Sequence, residues 1–115
     1  MTYHIDYAYT CHAGKVRPNN EDNFWCCGEH LPVSNHGTEE IRTGIRLRER
    51  LPVMAVFDGM GGESQGEMAA WLASDSLEHF YRENKWMLRK APELFLTEAC
   101  KNMNQAVCDL SLIHI

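Results

Sequence analysis

Residues 53–62 read VMAVFDGMGG, and the fold prediction starts from them. Its first five residues are apolar and β-prone, and a continuous run of this kind is typical of a strand covered on both faces in the middle of a sandwich. The glycines that follow break the strand, so Asp58 stands at its end. The sequence therefore predicts a buried central strand that delivers one carboxylate to a glycine-rich turn.

Two helices are predicted after the glycine turn. Ser64 and Glu67 have the S-x-x-E spacing of a capping box, and apolar residues then recur at helical spacing to about Tyr81. A second helix opens near Pro92, a residue suited to the first helical turn. Its apolar stripe, which we interpret as a core surface, comprises Leu96, Cys100, Met103, Val107 and Leu110. The helical spacing breaks after Leu110, so residues 111–115 form an unassigned tail.

Two further strands and a long connection precede the central strand. Large side chains alternate with smaller or more polar ones from Tyr3, which predicts a half-buried strand to about Cys11. A polar loop at residues 14–20 then leads to a second strand at residues 22–27. Residues 28–50 predict a long connection with an exposed hairpin, which is either a solvated variable loop or a docking surface. The element order is therefore β-β-β-α-α, and the fold class is α+β.

Composition and charge narrow the class of protein. The chain has 115 residues, of which 44% are hydrophobic, and a formal net charge of −5, which suits one globular domain. An acidic chain without a basic stripe lacks the charge that nucleic acid binding needs. No apolar run approaches the roughly 20 residues that span a membrane, and the N-terminus does not resemble a secretion signal. The expected compartment is the cytoplasm.

Cysteine and histidine provide no metal or disulfide pattern. The five cysteines are an odd set without a C-x-x-C pair, so we interpret them as reduced core residues. The six histidines lack ligand spacing, and surface or capping roles are expected for all of them.

Two clusters of residues carry the chemistry. One joins Arg17 to the adjacent acids Glu21 and Asp22, and the other is Asp58 with Gly59 at the strand end. Carboxylate oxygens without cysteine or histidine suit magnesium or manganese, and glycine lets a main-chain carbonyl approach a metal. Arginine presents a planar fork of donors that matches phosphate oxygens. Each cluster alone also fits a turn or a solvated surface, but together they indicate a phosphoryl-transfer site.

Together the two clusters resemble a known family. GKVRPNNEDNF at residues 14–24 is similar to the first motif of the metal-dependent serine/threonine protein phosphatases of the PPM or PP2C type. VFDGMGG at residues 56–62, followed by GEMA at residues 66–69, is similar to the second motif, in the family's order. The resemblance implies an incomplete PP2C-like antiparallel β-sandwich flanked by helices. Residues 1–110 would be the N-terminal part of the phosphatase domain, with its second half missing.

The resemblance also implies a role for each residue of the site. Asp58 would bridge two magnesium or manganese ions, and the carbonyl of Gly59 would bind one of them. Glu21 and Asp22 would hold metal-bound waters, and Arg17 would grip the substrate phosphate. Arg17 and Asp58 are thus the expected catalytic residues. The implied reaction is hydrolysis of phosphoserine or phosphothreonine in phosphorylated proteins by a metal-activated water.

The chain departs from the family at two points. Met60 stands where animal relatives place a histidine, as it commonly does in bacterial-type members, and its thioether cannot donate a proton. A metal-bound water or solvent would then protonate the leaving alkoxide. The family's later Gly-Asp and Asp-Asn motifs are absent, which leaves three candidate carboxylates for two dications. Alone, the chain is therefore expected to bind metal weakly, to be nearly inactive, and to self-associate through uncovered apolar faces.

Two other interpretations stay open. The chain could be a noncatalytic regulatory module that binds phosphoproteins or metal through the same loops. It could also be a small soluble protein in which the turn at Asp58 and Gly59 is purely structural. A reading frame beyond Ile115 that encodes further strands and Gly-Asp motifs would favour the phosphatase.

Overall fold

A computed structural model describes residues 3–47, 51–59 and 64–113 of the chain. Within these ranges four strands are followed by three helices, so the fold class α+β is confirmed. The strands are β1 (His4–Tyr9), β2 (Asn23–Cys26), β3 (Arg42–Leu47) and β4 (Met54–Phe57). The helices are α1 (Ser64–Glu83), α2 (Lys85–Lys90) and α3 (Pro92–Ile113).

The strands form two separate antiparallel sheets. β1 pairs with β3, and β2 pairs with β4. The first sheet lies against one face of β2, where the ring centroids of Tyr9 and Phe24 are 5.0 Å apart. Helices α1 and α3 cover the opposite face around a core of Trp25, Leu77, Leu88, Phe95 and Ala99. Strand β2 is therefore enclosed between strands on one side and helices on the other.

The burial of β2 includes one charged partner. All four residues of this strand are buried, and Trp25 is fully buried. The Trp25 indole N–H donates to the carboxylate of Glu78, which is itself buried on α1. Glu78 also pairs with Arg82 at 2.7 Å. The buried carboxylate thus has both a hydrogen-bond donor and a countercharge, as burial of an ionised group requires.

Strand β4 is not covered on both faces, so that prediction is wrong. Ala55 and Phe57 pack against the helical core, whereas Met54 is 47% exposed and Val56 is 89% exposed. The reason is that the sheet of β1 and β3 is two strands wide and packs on β2 rather than on β4. The fully enclosed strand is β2.

The connection after β2 contains a strand rather than the predicted hairpin. β3 pairs with the distant β1, and its apolar side chains at Ile45 and Leu47 face solvent. Gly44 lies on the inner side, where the ring of Tyr7 packs so closely that a Cβ at this position would overlap it. Arg46 also faces inward, and its guanidinium donates to the carbonyl of Cys27 at 3.0 Å. Side chains of β3 do alternate between the two faces of the sheet. The close packing of Gly44 and the hydrogen bond of Arg46 determine which face is turned inward.

The helix starts agree with the sequence patterns. α1 begins at Ser64 and α3 begins at Pro92, while the short helix α2 was not predicted. The capping interaction of the Ser64 side chain and the glycine turn at residues 60–63 lie outside the described residues. α3 continues to Ile113, so the broken spacing after Leu110 does not end the helix.

The core stripe of α3 differs from the predicted one at Leu96 and Cys100, whereas Met103 of that stripe packs against the core as predicted. Phe95 and Ala99 are buried, whereas Leu96 and Cys100 are exposed. Phe95 docks edge-on against Phe80 of α1, with ring centroids 5.2 Å apart. Packing of the aromatic ring therefore sets the rotation of the helix, which apolar spacing alone did not.

The predicted burial of the cysteines holds for only part of the set. All five are free; Cys26 is buried, and Cys11 and Cys27 are half-buried. Cys100 and Cys108 are exposed, so the core prediction is wrong for these two because α3 turns that face to solvent.

Among the described helices, none combines the length and the apolarity needed to cross a bilayer.

Candidate active site

The two acidic strand ends lie at the same end of one sheet. Asn23 of β2 is opposite Phe57 of β4 in an antiparallel pair. Asp22 directly precedes the first of these residues and Asp58 directly follows the second, so the two aspartates leave the sheet side by side. Both are exposed, and both line a cavity of about 390 Å³. The structure thus brings together carboxylates from the two sequence motifs.

Gly59 of the second motif is in direct contact with the first motif. Its backbone N–H donates to Oδ1 of Asp22 at 3.2 Å, across 37 residues of chain. A Cβ at this position would overlap the carbonyl oxygen of Glu21 and crowd that of Gly66. Glycine is therefore required at position 59 by the close approach of the first motif, and this approach concentrates oxygen atoms around one point.

Arg17 is placed by Glu21. Its Nη1 lies 2.7 Å from Oε2 of Glu21, in a pair four residues apart. The Arg17 side chain is 59% exposed, whereas that of Glu21 is 12% exposed. The guanidinium is thus oriented by Glu21 and accessible to solvent, where an incoming anion could reach it. Neither residue is among those that line the cavity of Asp22 and Asp58. Glu21 directs one carboxylate oxygen to the arginine.

A buried asparagine organises the loops of the site, and sequence reasoning assigned it no role. Asn20 is 2% exposed, and its amide nitrogen donates to the Asp22 carbonyl, to Sγ of Cys11 and to Oδ1 of Asn35. Its side-chain oxygen accepts from the Asp22 N–H at 3.3 Å. One side chain therefore fixes the backbone before β2 against the segment that follows β1. The signal in the sequence was its place inside the first motif.

His12 also enters the site without having been predicted there. It lines the same cavity as Asp22 and Asp58. Its Nδ1 accepts the N–H of Gly14 at 2.9 Å, a local contact of the capping kind that was expected for the histidines. The cavity was not expected, because only the fold brings the end of β1 beside the end of β2.

The candidate ligand atoms are of the type that a hard cation prefers. Asp22, Asp58 and the main-chain oxygen of Gly59 offer only oxygen, which suits magnesium or manganese with several retained waters. The number of protein ligands is small. Among residues 3–47, 51–59 and 64–113, no three acidic, histidine or cysteine residues form a group that could hold a metal ion. The arrangement thus suits an ion held largely by water, with further protein ligands needed for tight binding.

Comparisons of the chain with family models, with curated proteins and with solved structures give no match. The likeness to the phosphatase family therefore depends on the two motifs and on the geometry that joins them.

Proposed function

We propose that this chain carries the phosphate-binding and metal-binding half of a metal-dependent serine/threonine protein phosphatase of the PPM or PP2C type. The observation that supports this most is the contact between Gly59 and Asp22, with the carbonyl of Glu21 packed against the same glycine. Two motifs that resemble one family in sequence meet at one point in space.

In the proposed reaction each residue has a distinct task. Asp22, Asp58 and the Gly59 carbonyl would hold magnesium or manganese. When bound, such ions supply an activated water and screen the charge of the attacked phosphate. Arg17 binds the phosphate of phosphoserine or phosphothreonine through its planar fork of donors. Its ion pair with Glu21 orients the guanidinium before substrate arrives.

The proposed fold is the first half of a PP2C-like sandwich. The uneven coverage of the strands supports this proposal. The sheet of β1 and β3 covers one face of β2 but leaves Met54 and Val56 of β4 exposed to solvent. Further strands packed on this face would complete a second layer. Carboxylates carried by such strands would also bring the ligand count up to what two dications need.

Metal binding by this chain tests the proposal directly. Calorimetric titration with manganese should give affinity in the millimolar range, because few charged ligands converge. Asp58→Asn keeps the shape of the side chain and removes its charge, so it should abolish the measurable heat. The control Asp6→Asn alters an exposed aspartate on β1 that pairs with His4 and is not among the residues lining the cavity, so it should bind as the parent does. Equal binding by Asp58→Asn would place the metal elsewhere.

Turnover of a phosphoserine peptide is measured on a longer protein that also carries the later acidic motifs. Asp58→Asn should lower activity by orders of magnitude, and added manganese should rescue little. Arg17→Lys keeps the charge and loses the fork, so KM should rise with less change in kcat. Near-normal turnover in the Asp58 variant, or unchanged kinetics in Arg17→Ala, would remove that residue from the site.

A second candidate function is a noncatalytic module that binds phosphoproteins. The ion pair between Arg17 and Glu21 favours it, because it engages a carboxylate that the enzyme would use to hold metal-bound water. Binding of phosphoserine peptide that depends on Arg17, without metal-dependent phosphate release in the longer protein, would establish the module and reject the enzyme.

A further inference from the structure

The backbone at His12 is held by contacts with the segment at residues 37–38. The N–H of Cys11 donates to Oγ1 of Thr38 at 3.1 Å, and the Cys11 carbonyl accepts from the Thr38 N–H at 2.8 Å. His12 itself forms an antiparallel bridge with Gly37. Gly37 has a positive φ of 101°, and a Cβ there would overlap the Cys11 carbonyl, so this crossing needs glycine. The backbone that carries the imidazole is therefore rigid.

The ring of His12 has a defined tautomer. Its Nδ1 is 2.9 Å from the backbone nitrogen of Gly14, which has a φ of 88° that turns the chain back toward the ring. A backbone N–H can only donate, so Nδ1 acts as the acceptor and the neutral ring carries its proton on Nε2. Within the described part of the chain, this is the one hydrogen bond that the ring makes. Nε2–H is thus a hydrogen-bond donor left for a ligand.

The hydrogen-bond donor of His12 lies in the cavity that the candidate metal-binding aspartates line. His12 lines the cavity together with Asp22 and Asp58, and Asn20 ties the segments that carry His12 and Asp22 by contacts of 3.0 Å to both. The segment that follows β1 therefore places a hydrogen-bond donor in the same cavity as the two aspartates.

We propose that His12 is a substrate-contacting residue that donates a hydrogen bond from Nε2 to the ester oxygen of a bound phosphoserine or phosphothreonine. This inference rests on the proposed function. In the reaction the water oxygen forms the new P–O bond and the ester P–O bond breaks. His12 keeps its proton and stabilises the charge that develops on the leaving oxygen, which then takes a proton from solvent. A fixed neutral imidazole performs such a task without a change of protonation state.

Two ligands that differ in one atom test the proposal on the 115-residue chain. One is a phosphoserine peptide, and the other is its phosphonate analogue, in which a methylene replaces the ester oxygen. Binding is measured by NMR titration with magnesium, at a pH where both ligands are dianions. The parent protein should prefer the ester by about tenfold, the value of one hydrogen bond to a charged ligand. His12→Ala should bind both ligands equally, and His12→Gln, which restores an N–H donor, should recover part of the preference.

The control is His36→Ala, because this exposed histidine lies on the neighbouring segment but outside the cavity lining. It should keep the full preference for the ester. An unchanged preference in His12→Ala, or an Nδ1–H tautomer in the nitrogen-15 spectrum of the free protein, overturns the role of His12 and leaves the proposed function intact. If neither ligand binds in a manner that Arg17→Ala removes, the proposed function fails, and the role of His12 fails with it.

Discussion

The two faces of the β2–β4 sheet differ in how far they are covered. On the helical face, Trp25 and Phe95 are fully buried among side chains of α1 and α3. On the opposite face, the cover of β1 and β3 stops short of β4, and an open apolar groove of about 610 Å³ runs beside Val56. Packing stability is therefore concentrated on the helical side. The strand side supplies the loops of the site and leaves surface available for more structure.

The largest effect is expected where the helical face is most tightly packed. Phe95→Ala should lower the free energy of unfolding by about 3–5 kcal/mol, because it removes a fully enclosed ring and leaves a cavity. Leu96→Ala is the matched control, since Leu96 is 57% exposed on the same turn of α3, and its cost should stay within about 0.5 kcal/mol. Urea unfolding followed by circular dichroism measures both. Equal losses would mean that α3 docks through a different face.

A smaller loss is expected from the buried polar contact on the same face. Glu78→Ala removes the acceptor of the Trp25 indole N–H, and an unpaired buried donor costs about 1–3 kcal/mol. Glu78→Gln keeps an oxygen acceptor and should cost less. The exposed Glu83→Gln on the last turn of α1 serves as the control and should leave the urea midpoint unchanged. A Glu78→Gln loss as large as that of Glu78→Ala would assign the effect to charge rather than to the hydrogen bond.

On the open face, substitution should change association rather than stability. Val56→Lys places a charge on a side chain that is 89% exposed, so the free energy of unfolding should change by no more than about 0.5 kcal/mol. If this face mediates self-association, sizing chromatography should show a shift toward monomer. An oligomer that persists in this variant would direct attention to other exposed apolar residues, such as Trp86 and Leu94.

The smallest effect is a fall in stability at alkaline pH, which arises on the strand side. Burial, followed by the hydrogen bond to Glu29, raises the pKa of Tyr9 to about 12, and burial raises the pKa of Cys26 to about 11. Unfolding lowers both values to about 10 and 9, so the folded protein binds more protons above about pH 9 and loses stability as pH rises. Tyr9→Phe should flatten this loss in urea unfolding between about pH 10 and pH 12, the interval between the unfolded and folded pKa of the hydroxyl. An unchanged slope would mean that the hydroxyl does not contribute.

Patterns in the sequence located most elements but not their orientation. The first strand, expected from Tyr3 to about Cys11, is found at His4–Tyr9. The helices begin at Ser64 and Pro92, where capping and proline placement indicated. Apolar spacing did not fix which side of β3 or α3 is inside, because Gly44 and Phe95 decide that through contacts with distant residues. It also assigned full burial to β4 instead of β2, since the apolar run does not reveal how wide the covering sheet is.

Candidate residues could be named from the sequence where one residue type suits one task. Five were singled out from their chemistry: Arg17, Glu21, Asp22, Asp58 and Gly59. In the structure Arg17 pairs with Glu21, and Gly59 contacts Asp22. Their proposed functions stay predictions. Asn20 and His12 were not singled out, because an asparagine or a histidine in a loop has many possible roles. Their tasks arise only once the ends of β1 and β2 lie side by side.

The complete burial of β2 has a consequence for the motion of the site. Asp22 is attached directly to this enclosed strand, whose amide hydrogens should exchange with solvent only when much of the domain opens. Arg17 lies in the exposed loop of residues 14–19, where exchange should be fast. The backbone that leads to Asp22 is therefore expected to open rarely, and the backbone of the Arg17 loop often. If Arg17 binds phosphate as proposed, capture can proceed on a faster timescale than any rearrangement of the carboxylates. Hydrogen exchange would show two separate rates within ten residues of chain.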